Sequence, residues 1–218
     1  YKSYIKYKEN KIPYVAAKIA ISKDFFLISK KNKWITNKFS RGRVHLMRSH
    51  HNCLLTSYKT IIKDNPMLTC RIDGLHNRSP SRVVIDKELK TPLKSKIVQT
   101  AKFYKTIIFF SKLKSKKIKK LKKNKVKLIK IKITNDKTFD LRDILIKLKS
   151  FGYSRIFLEA GLNLTTNFLK KGLVDEIKIF KTNKNLGTHG KDNFRKNMKF
   201  LKRKKYIKEK VNLFGDQL

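Results

Sequence analysis

The chain is poor in the residues that extracellular and membrane-spanning proteins rely on. Its 218 residues hold two cysteines, Cys53 and Cys70, isolated from each other and in no Cys-x-x-Cys pair. That is too little for a disulfide framework or a zinc site, and it fits a reducing cytoplasm. No apolar run approaches the roughly 18–20 residues of a membrane span, and no signal-type apolar segment with a small-residue cleavage site follows the basic N-terminus. The chain is therefore expected to be soluble and unsecreted. Tryptophan occurs once, as Trp34, inside the polar run Asn-Lys-Trp-Ile-Thr. Acidic residues are scarce as well: Lys and Arg number 56 against 15 Asp and Glu, a formal charge of +41. A field of that size attracts polyanions and anionic membrane surfaces whatever the fold.

Two explanations compete for the charge. In one, the lysines are a footprint for phosphate backbones, which would make the chain a basic nucleic-acid-binding or structural module. In the other, the sequence has drifted toward Lys, Asn, Ile and Phe, residues with A/T-rich codons, and the lysines are mostly solvated surface. Arginine is comparatively scarce and aromatics are not interleaved with the basic runs, whereas readers of RNA and DNA favour arginine forks and stacking platforms. Drift is the better reading, with non-specific polyanion binding as its by-product.

At 40% hydrophobic residues the sequence is not a disordered tail, and its length suits one domain with a proper core. Residues 1–12 read as an arm or linker and 13–218 as a single domain. Strands are expected at 13–22, 52–57, 82–85, 105–110, 125–133, 154–160 and 174–180, where β-branched and aromatic residues concentrate. Helices are expected at 37–50, capped by Thr36 or Asn37 with Phe39, Val44 and Met47 as its apolar stripe, at 139–148 behind Asp140, and at 162–171. The run 64–68 is a turn and the lysine-rich stretch 111–125 a solvated connection. Strands alternating with helices argue for an α/β domain with a largely parallel central sheet flanked by helices.

The most informative unit is a strand ending in Glu159, a small-residue turn at Ala160 and Gly161, and a helix that starts at once with Asn163, Thr165 and Thr166. Free N–H groups and the positive end of the helix dipole make such a start a ready phosphate site. The spacing is not Gly-x-Gly-x-x-Gly, so the pattern alone equally describes ordinary strand–helix packing.

Several separated segments, in order, resemble one family. "PYVAAKIAIS", "KWIT", "VHLMRS", "LLTSYKTIIKDNPMLTCR", "RVVID" and "FLEAGLNLTTNFLKKGLVDEI" are similar to the reductase domain of bacterial bifunctional riboflavin-biosynthesis deaminase/reductases, from about Pro13 to Leu186. The resemblance implies a dihydrofolate-reductase-like fold and an NADPH-dependent reduction of 5-amino-6-(5-phosphoribosylamino)uracil, with hydride delivered to the ribose C1′. It also implies a homodimer and a fused or separate deaminase.

By the same resemblance, Ala20, Trp34, Thr36, Thr60, Asp64 and the run Gly161, Leu162, Asn163, Leu164, Thr165, Thr166 and Asn167 contact the NADPH. Asn32, Arg48, Leu68, Arg71 and Glu159 hold the substrate. Asp64, Glu159 and Lys18 are the groups placed to assist proton transfer. The residue types suit the roles, since a guanidinium forks onto phosphate oxygens and a carboxylate accepts from ribose hydroxyls. Each also has an ordinary explanation: Trp34 as core, Arg48 as a solvated helix residue, Asp64 as a turn residue, Glu159 as a strand-end carboxylate. His50, His51 and His189 read as surface or packing residues.

The sequence departs from the family pattern at specific places. Phe25 stands where a glycine follows the first strand, so that turn must differ or be strained. Asn32 replaces a serine, Lys59 and Asn65 sit in the cofactor loop, and Lys87 follows "VVID" in place of a small residue. No deaminase zinc motif is present in the chain, which is expected of an excised domain or a truncated chain.

Overall fold

A computed structural model describes residues 1–112, 115–135, 138–203 and 211–215. In chain order the elements are α1 (Lys2–Glu9), β1 (Tyr14–Ile21), β2 (Phe26–Ser29), α2 (Lys38–Ser49), β3 (Cys53–Ser57), α3 (Tyr58–Asp64), β4 (Ser81–Ile85), α4 (Lys96–Gln99), β5 (Thr106–Phe110), α5 (Ser115–Lys123), β6 (Lys127–Lys130), α6 (Leu141–Ser150), β7 (Arg155–Glu159), α7 (Leu162–Lys170), β8 (Glu176–Lys181), β9 (Gly190–Asn193), α8 (Arg195–Arg203) and β10 (Val211–Gly215).

Among the described residues, eight strands form one sheet in the order β10-β8-β1-β7-β3-β4-β5-β6. Every neighbouring pair is parallel. Such a sheet must be covered on both faces, and its strands accordingly read as nearly continuous apolar runs. Alternation sorts them into two cores. Val15, Ala17, Ile19, Leu55, Ile156 and Leu158 face the side that packs Leu145 and Leu148 of α6 and Phe168 of α7. Ala16, Leu54, Val84, Ile108 and Phe157 face the side that packs Val44 and Met47 of α2, Ile61 of α3 and Leu121 of α5.

The strand order places the site. The chain lays down β3, β4, β5 and β6 outward from the centre, then returns to insert β7 between β1 and β3. Chain paths diverge around the carboxyl end of β7, and a crevice opens at such a switch point in open parallel sheets. The last residue of β7 is Glu159.

Helix ends follow local chemistry. The Asn37 side chain accepts from the Ser40 N–H at 2.8 Å, capping α2. Asp140 caps α6 by accepting from the N–H groups of Arg142 and Asp143, and Gly152 and Gly172 leave α6 and α7 at φ +84° and +65°.

Several expectations need correction. The lysine-rich connection contains α5, whose Leu121 is fully buried, so one apolar residue per turn fastened a helix that composition disguised; Leu113 and Lys114 of that stretch lie outside the described residues. The strand expected over 125–133 is shorter, β6, because Lys125 takes a left-handed turn at φ +63°. Phe39 is 62% exposed and does not belong to the stripe of α2, which Val44 and Met47 carry. The arm contains α1, tied down by Lys6 against Asp175 at 2.5 Å and by Lys149 against the Tyr7 carbonyl.

The small antiparallel pair β2–β9 and the helices α3 and α8 were not foreseen. At Gly190 any Cβ would fall 2.3 Å from the Phe26 ring, so this pairing needs glycine there. No helix among the described residues is long and apolar enough to cross a membrane.

Candidate functional site

Four groups converge at the carboxyl end of β7. Glu159 and Lys18 are register partners on β7 and β1, and by alternation both face the α2 side. Arg48 comes from α2. Helical side chains lean back toward the N-terminus, and this lets a residue near the end of α2 reach up to the strand end. Its Nε and Nη2 donate to the two Glu159 carboxylate oxygens at 3.0 and 2.9 Å, and its Nη1 donates to the Thr69 carbonyl at 3.0 Å.

The charges are tuned by this packing. Burial alone would raise the Glu159 carboxyl, but Arg48, by charge and hydrogen bonds, and Lys18 outweigh it and hold the group below the ordinary carboxylate range. Burial lowers the Lys18 ammonium, with Glu159 opposing and Arg48 adding. Asp64, at the end of α3, is pushed up by partial burial, against Lys63 and Lys33 and with help from Glu159. That mutual influence puts Asp64, Lys33 and Glu159 on one side of the molecule.

The segment after α3 wraps the site. Asn65 and Leu68 adopt left-handed conformations at φ +40° and +57°, which non-glycine residues take only when surroundings enforce it. The Asn65 side chain accepts from Lys96 N–H at 2.8 Å, and Leu68 is buried. Arg71 is exposed, its guanidinium 3.2 Å from His45 Nε2. Thr60 lies near Ser57, hydroxyl to hydroxyl at 3.4 Å.

Ala20 is two residues beyond Lys18 on β1 and faces the α2 side, opposite Phe180. Asn32 and Trp34 are exposed; Trp34 keeps 59% of its surface, with Arg41 5.2 Å from its ring. It is not core. Thr36 offers its carbonyl to Arg41 at 2.7 Å. Gly161 caps α7 and has open space where a Cβ would sit.

Within α7 the roles separate. Leu162 and Leu164 pack on the core, Thr165 is buried with its hydroxyl donating to the Ala160 carbonyl at 3.3 Å, and Thr166 accepts from Asn197 at 3.0 Å. Asn163 and Asn167 are exposed. What this helix start can offer an anion is therefore its backbone N–H groups more than its hydroxyls.

His45 was missed. It lies three residues before Arg48 on the same helix face, a spacing that could have signalled it. Of the two expectations for the turn at Phe25, a different turn or a strained one, the structure has the second: Phe25 sits at φ +74°, steadied by Asp24, which accepts from Ser22 and from the N–H groups of Leu186 and Gly187. A cavity of about 290 Å³ lies elsewhere, lined by Tyr14, His51, Arg155 and Glu176. Tyr14, Arg155 and Glu176 open their strands, so it sits at the opposite edge of the sheet and holds none of the residues above.

The fold and this strand-end cluster place the chain in the α/β, dihydrofolate-reductase-like class. A family model described as the RibD C-terminal domain matches residues 13–217, and the chain belongs to that family. It is 33% identical over 179 residues to a riboflavin biosynthesis protein RibD of Actinobacillus pleuropneumoniae, covering 81% of this chain and 47% of that one. It is 29% identical over 171 residues to a 5-amino-6-(5-phosphoribosylamino)uracil reductase of Buchnera aphidicola, covering 73% of this chain and 79% of that one. A solved structure of a Thermotoga maritima diaminohydroxyphosphoribosylaminopyrimidine deaminase/5-amino-6-(5-phosphoribosylamino)uracil reductase superposes with a TM-score of 0.71 at 26% identity, over 88% of this chain and 51% of that one. The chain spans about half the length of the RibD relatives it matches.

Proposed function

We propose that the chain reduces 5-amino-6-(5-phosphoribosylamino)uracil to its ribitylamino form, with NADPH as the reductant. The single observation that carries this reading is the Arg48–Glu159–Lys18 cluster at the switch-point edge of the sheet, one turn from the start of α7. The Buchnera relative, matched over 79% of its length, carries that reductase name.

The residues present fit a nicotinamide dinucleotide. Gly161 leaves open space before the first turn of α7, where backbone N–H groups can meet a pyrophosphate. Ala20, Trp34, Thr36, Thr60, Asp64 and the run 161–167 would hold the cofactor. When bound, NADPH supplies a hydride for the ring-opened sugar at C1′. The abundance of cations favours NADPH over NADH.

The chain's own groups then divide the remaining work. Glu159, kept ionised by Arg48, accepts hydrogen bonds from ribose hydroxyls or the pyrimidine and fixes the sugar. Lys18, the cross-strand register partner of Glu159 with a lowered affinity for protons, is the proton donor. Asp64 stands by at the cofactor side. Arg48 is committed to Glu159, so Arg71, whose guanidinium is exposed, is the fork for the substrate phosphate. Asn32 and Leu68 complete the substrate walls. Most of the rate comes from positioning.

A deaminase supplying the substrate, a homodimeric assembly and a cytoplasmic setting complete the proposal; the two buried free cysteines suit the last. Weak polyanion contact through the lysines of α5 is expected beside it, with a steep loss in salt.

The test is to mix the protein with NADPH and the deaminated phosphoribosylamino-uracil, a chelator present, and follow loss of the reduced nicotinamide. Turnover that persists with chelator and is much slower with NADH supports the reading. A folded protein that binds NADPH and never consumes it rules the reading out.

A further inference from the structure

We propose that His45 is a positioning residue for Arg71, holding its guanidinium where the substrate phosphate arrives; this rests on the reductase reading above. The geometry is specific. His45 Nε2 lies 3.2 Å from Arg71 Nη2, and His45 Nδ1 lies 3.1 Å from the Thr69 carbonyl oxygen. A guanidinium only donates, so Nε2 must be the accepting nitrogen. The one proton of a neutral imidazole then sits on Nδ1 and is donated to Thr69. This tautomer gives up the contact in which the Arg71 backbone N–H points at Nδ1 from 3.1 Å; the other tautomer would keep it, but would set an N–H against the guanidinium and a lone pair against the Thr69 carbonyl, two mismatches in place of one.

Thr69 links this pair to the rest of the site, because the same carbonyl accepts from Arg48 Nη1 at 3.0 Å. A continuous chain runs from Glu159 through Arg48, the Thr69 carbonyl and His45 to Arg71. The charged groups facing His45 are Arg48 from its own helix, Arg71 from the segment after α3 and Glu159 from β7. Burial, with those two arginines, lowers the imidazole to about 4. His45 is thus neutral at physiological pH, able to accept from Arg71 without adding a repelling charge. A long arginine without that acceptor would lose the preorganisation that makes a phosphate clamp effective.

The experiment compares His45→Leu, His45→Gln, Arg71→Ala and the double variant His45→Leu/Arg71→Ala in the full chain. It measures KM and kcat for the phosphorylated substrate and for its dephosphorylated counterpart, and Kd for NADPH. His45→Leu is expected to raise KM for the phosphorylated substrate about tenfold, the size of one lost charge-assisted hydrogen bond. Its kcat should stay within about twofold, with NADPH affinity and KM for the dephosphorylated substrate unchanged. His45→Gln, which can offer an oxygen near the Nε2 position, should recover most of the loss, and the double variant should be no worse than Arg71→Ala.

An unchanged KM in His45→Leu, when Arg71→Ala raises it, removes His45 and leaves the reductase reading standing. An unchanged KM in Arg71→Ala overturns the phosphate assignment and this proposal with it. Failure of the unsubstituted protein to turn over overturns the reductase reading itself. One readout needs no activity: 15N NMR of His45 should show a neutral ring protonated on Nδ1, and a ring protonated on Nε2 would overturn the positioning role.

Discussion

Arg48 grips both carboxylate oxygens of Glu159 across 111 positions of sequence, at 3.0 and 2.9 Å. The side chains keep only 11% and 20% of their exposure, so removing one partner strands the other charge in a partly dry place. Glu159→Gln and Arg48→Met are each expected to cost about 2–4 kcal/mol in urea unfolding, near the lower end for breaking a buried pair. Both should raise KM for substrate by at least about tenfold. The linkage has a definite sign. Glu159 has its folded pKa lowered, so the stability it contributes is present above the ordinary carboxylate range and disappears as pH falls through the lowered value. Glu159→Gln should flatten that part of the acid limb; an unchanged limb would contradict the pairing.

His51 gives a second, separable acid effect. It is buried, donates from Nδ1 to the Met47 carbonyl at 2.6 Å and stacks at 5.0 Å on Phe157. Burial lowers it to about 4. Between the unfolded value and that one, the unfolded state binds more protons, so stability falls as pH drops from about 6.5, by of the order of 3 kcal/mol once the folded value is passed. His51→Gln should remove about half of this slope in thermal melts between pH 7 and 4, because His45 is lowered to about 4 as well and keeps its own share. A slope unchanged by the substitution would assign it elsewhere.

Arg82 is fully buried, and among the described residues no carboxylate meets it. Its guanidinium instead donates to the carbonyls of Met67, Ile97 and Tyr104 and to the hydroxyls of Thr100 and Thr106. It ties β4 and β5 to α4 and to the segment carrying Leu68. Burial lowers it to about 10. Arg82→Met leaves several buried acceptors unpaired at about 1–3 kcal/mol each, so a loss of at least about 3 kcal/mol is expected in chemical unfolding. A loss under about 1 kcal/mol would mean the carbonyls find other donors.

Phe25 holds φ +74° where glycine would be at ease. Phe25→Gly and Phe25→Ala both lose the ring that packs on the core, but only alanine keeps the strain. The glycine variant should therefore be the more stable of the two by about 1 kcal/mol. Equal melting temperatures would show that the turn relaxes.

Much of this was legible in the sequence, and the failures have physical reasons. Strands buried on both faces announce themselves as apolar runs, so β1, β3, β4, β5, β7 and β8 were expected within a residue or two. Caps were legible at Asn37 and Asp140 because short polar side chains there have a defined local partner. Helix α5 was hidden by six lysines around Leu121 and Ile118, since composition speaks for the solvated face and one buried leucine per turn is a faint signal. Helix α3 was masked by the turn signal of Asn65 and Pro66 that ends it. At the site, Arg48 and Glu159 were named from motif order, but their pairing was not legible: a contact across 111 positions depends on β7 being inserted between β1 and β3. His45 went unnoticed because its role exists only through Thr69 and Arg71, which the turn at Leu68 brings back to α2.

The most direct measurement is isotopic. The protein is incubated with the phosphoribosylamino-uracil and NADPH deuterated at C4 of the nicotinamide, in separate 4R and 4S forms, and the product is examined by NMR. The expected result is one deuterium at C1′ of the ribityl chain from one of the two forms and none from the other, as direct hydride transfer in a fixed geometry requires. Product free of deuterium from both forms, or deuterium at any other carbon, would contradict it.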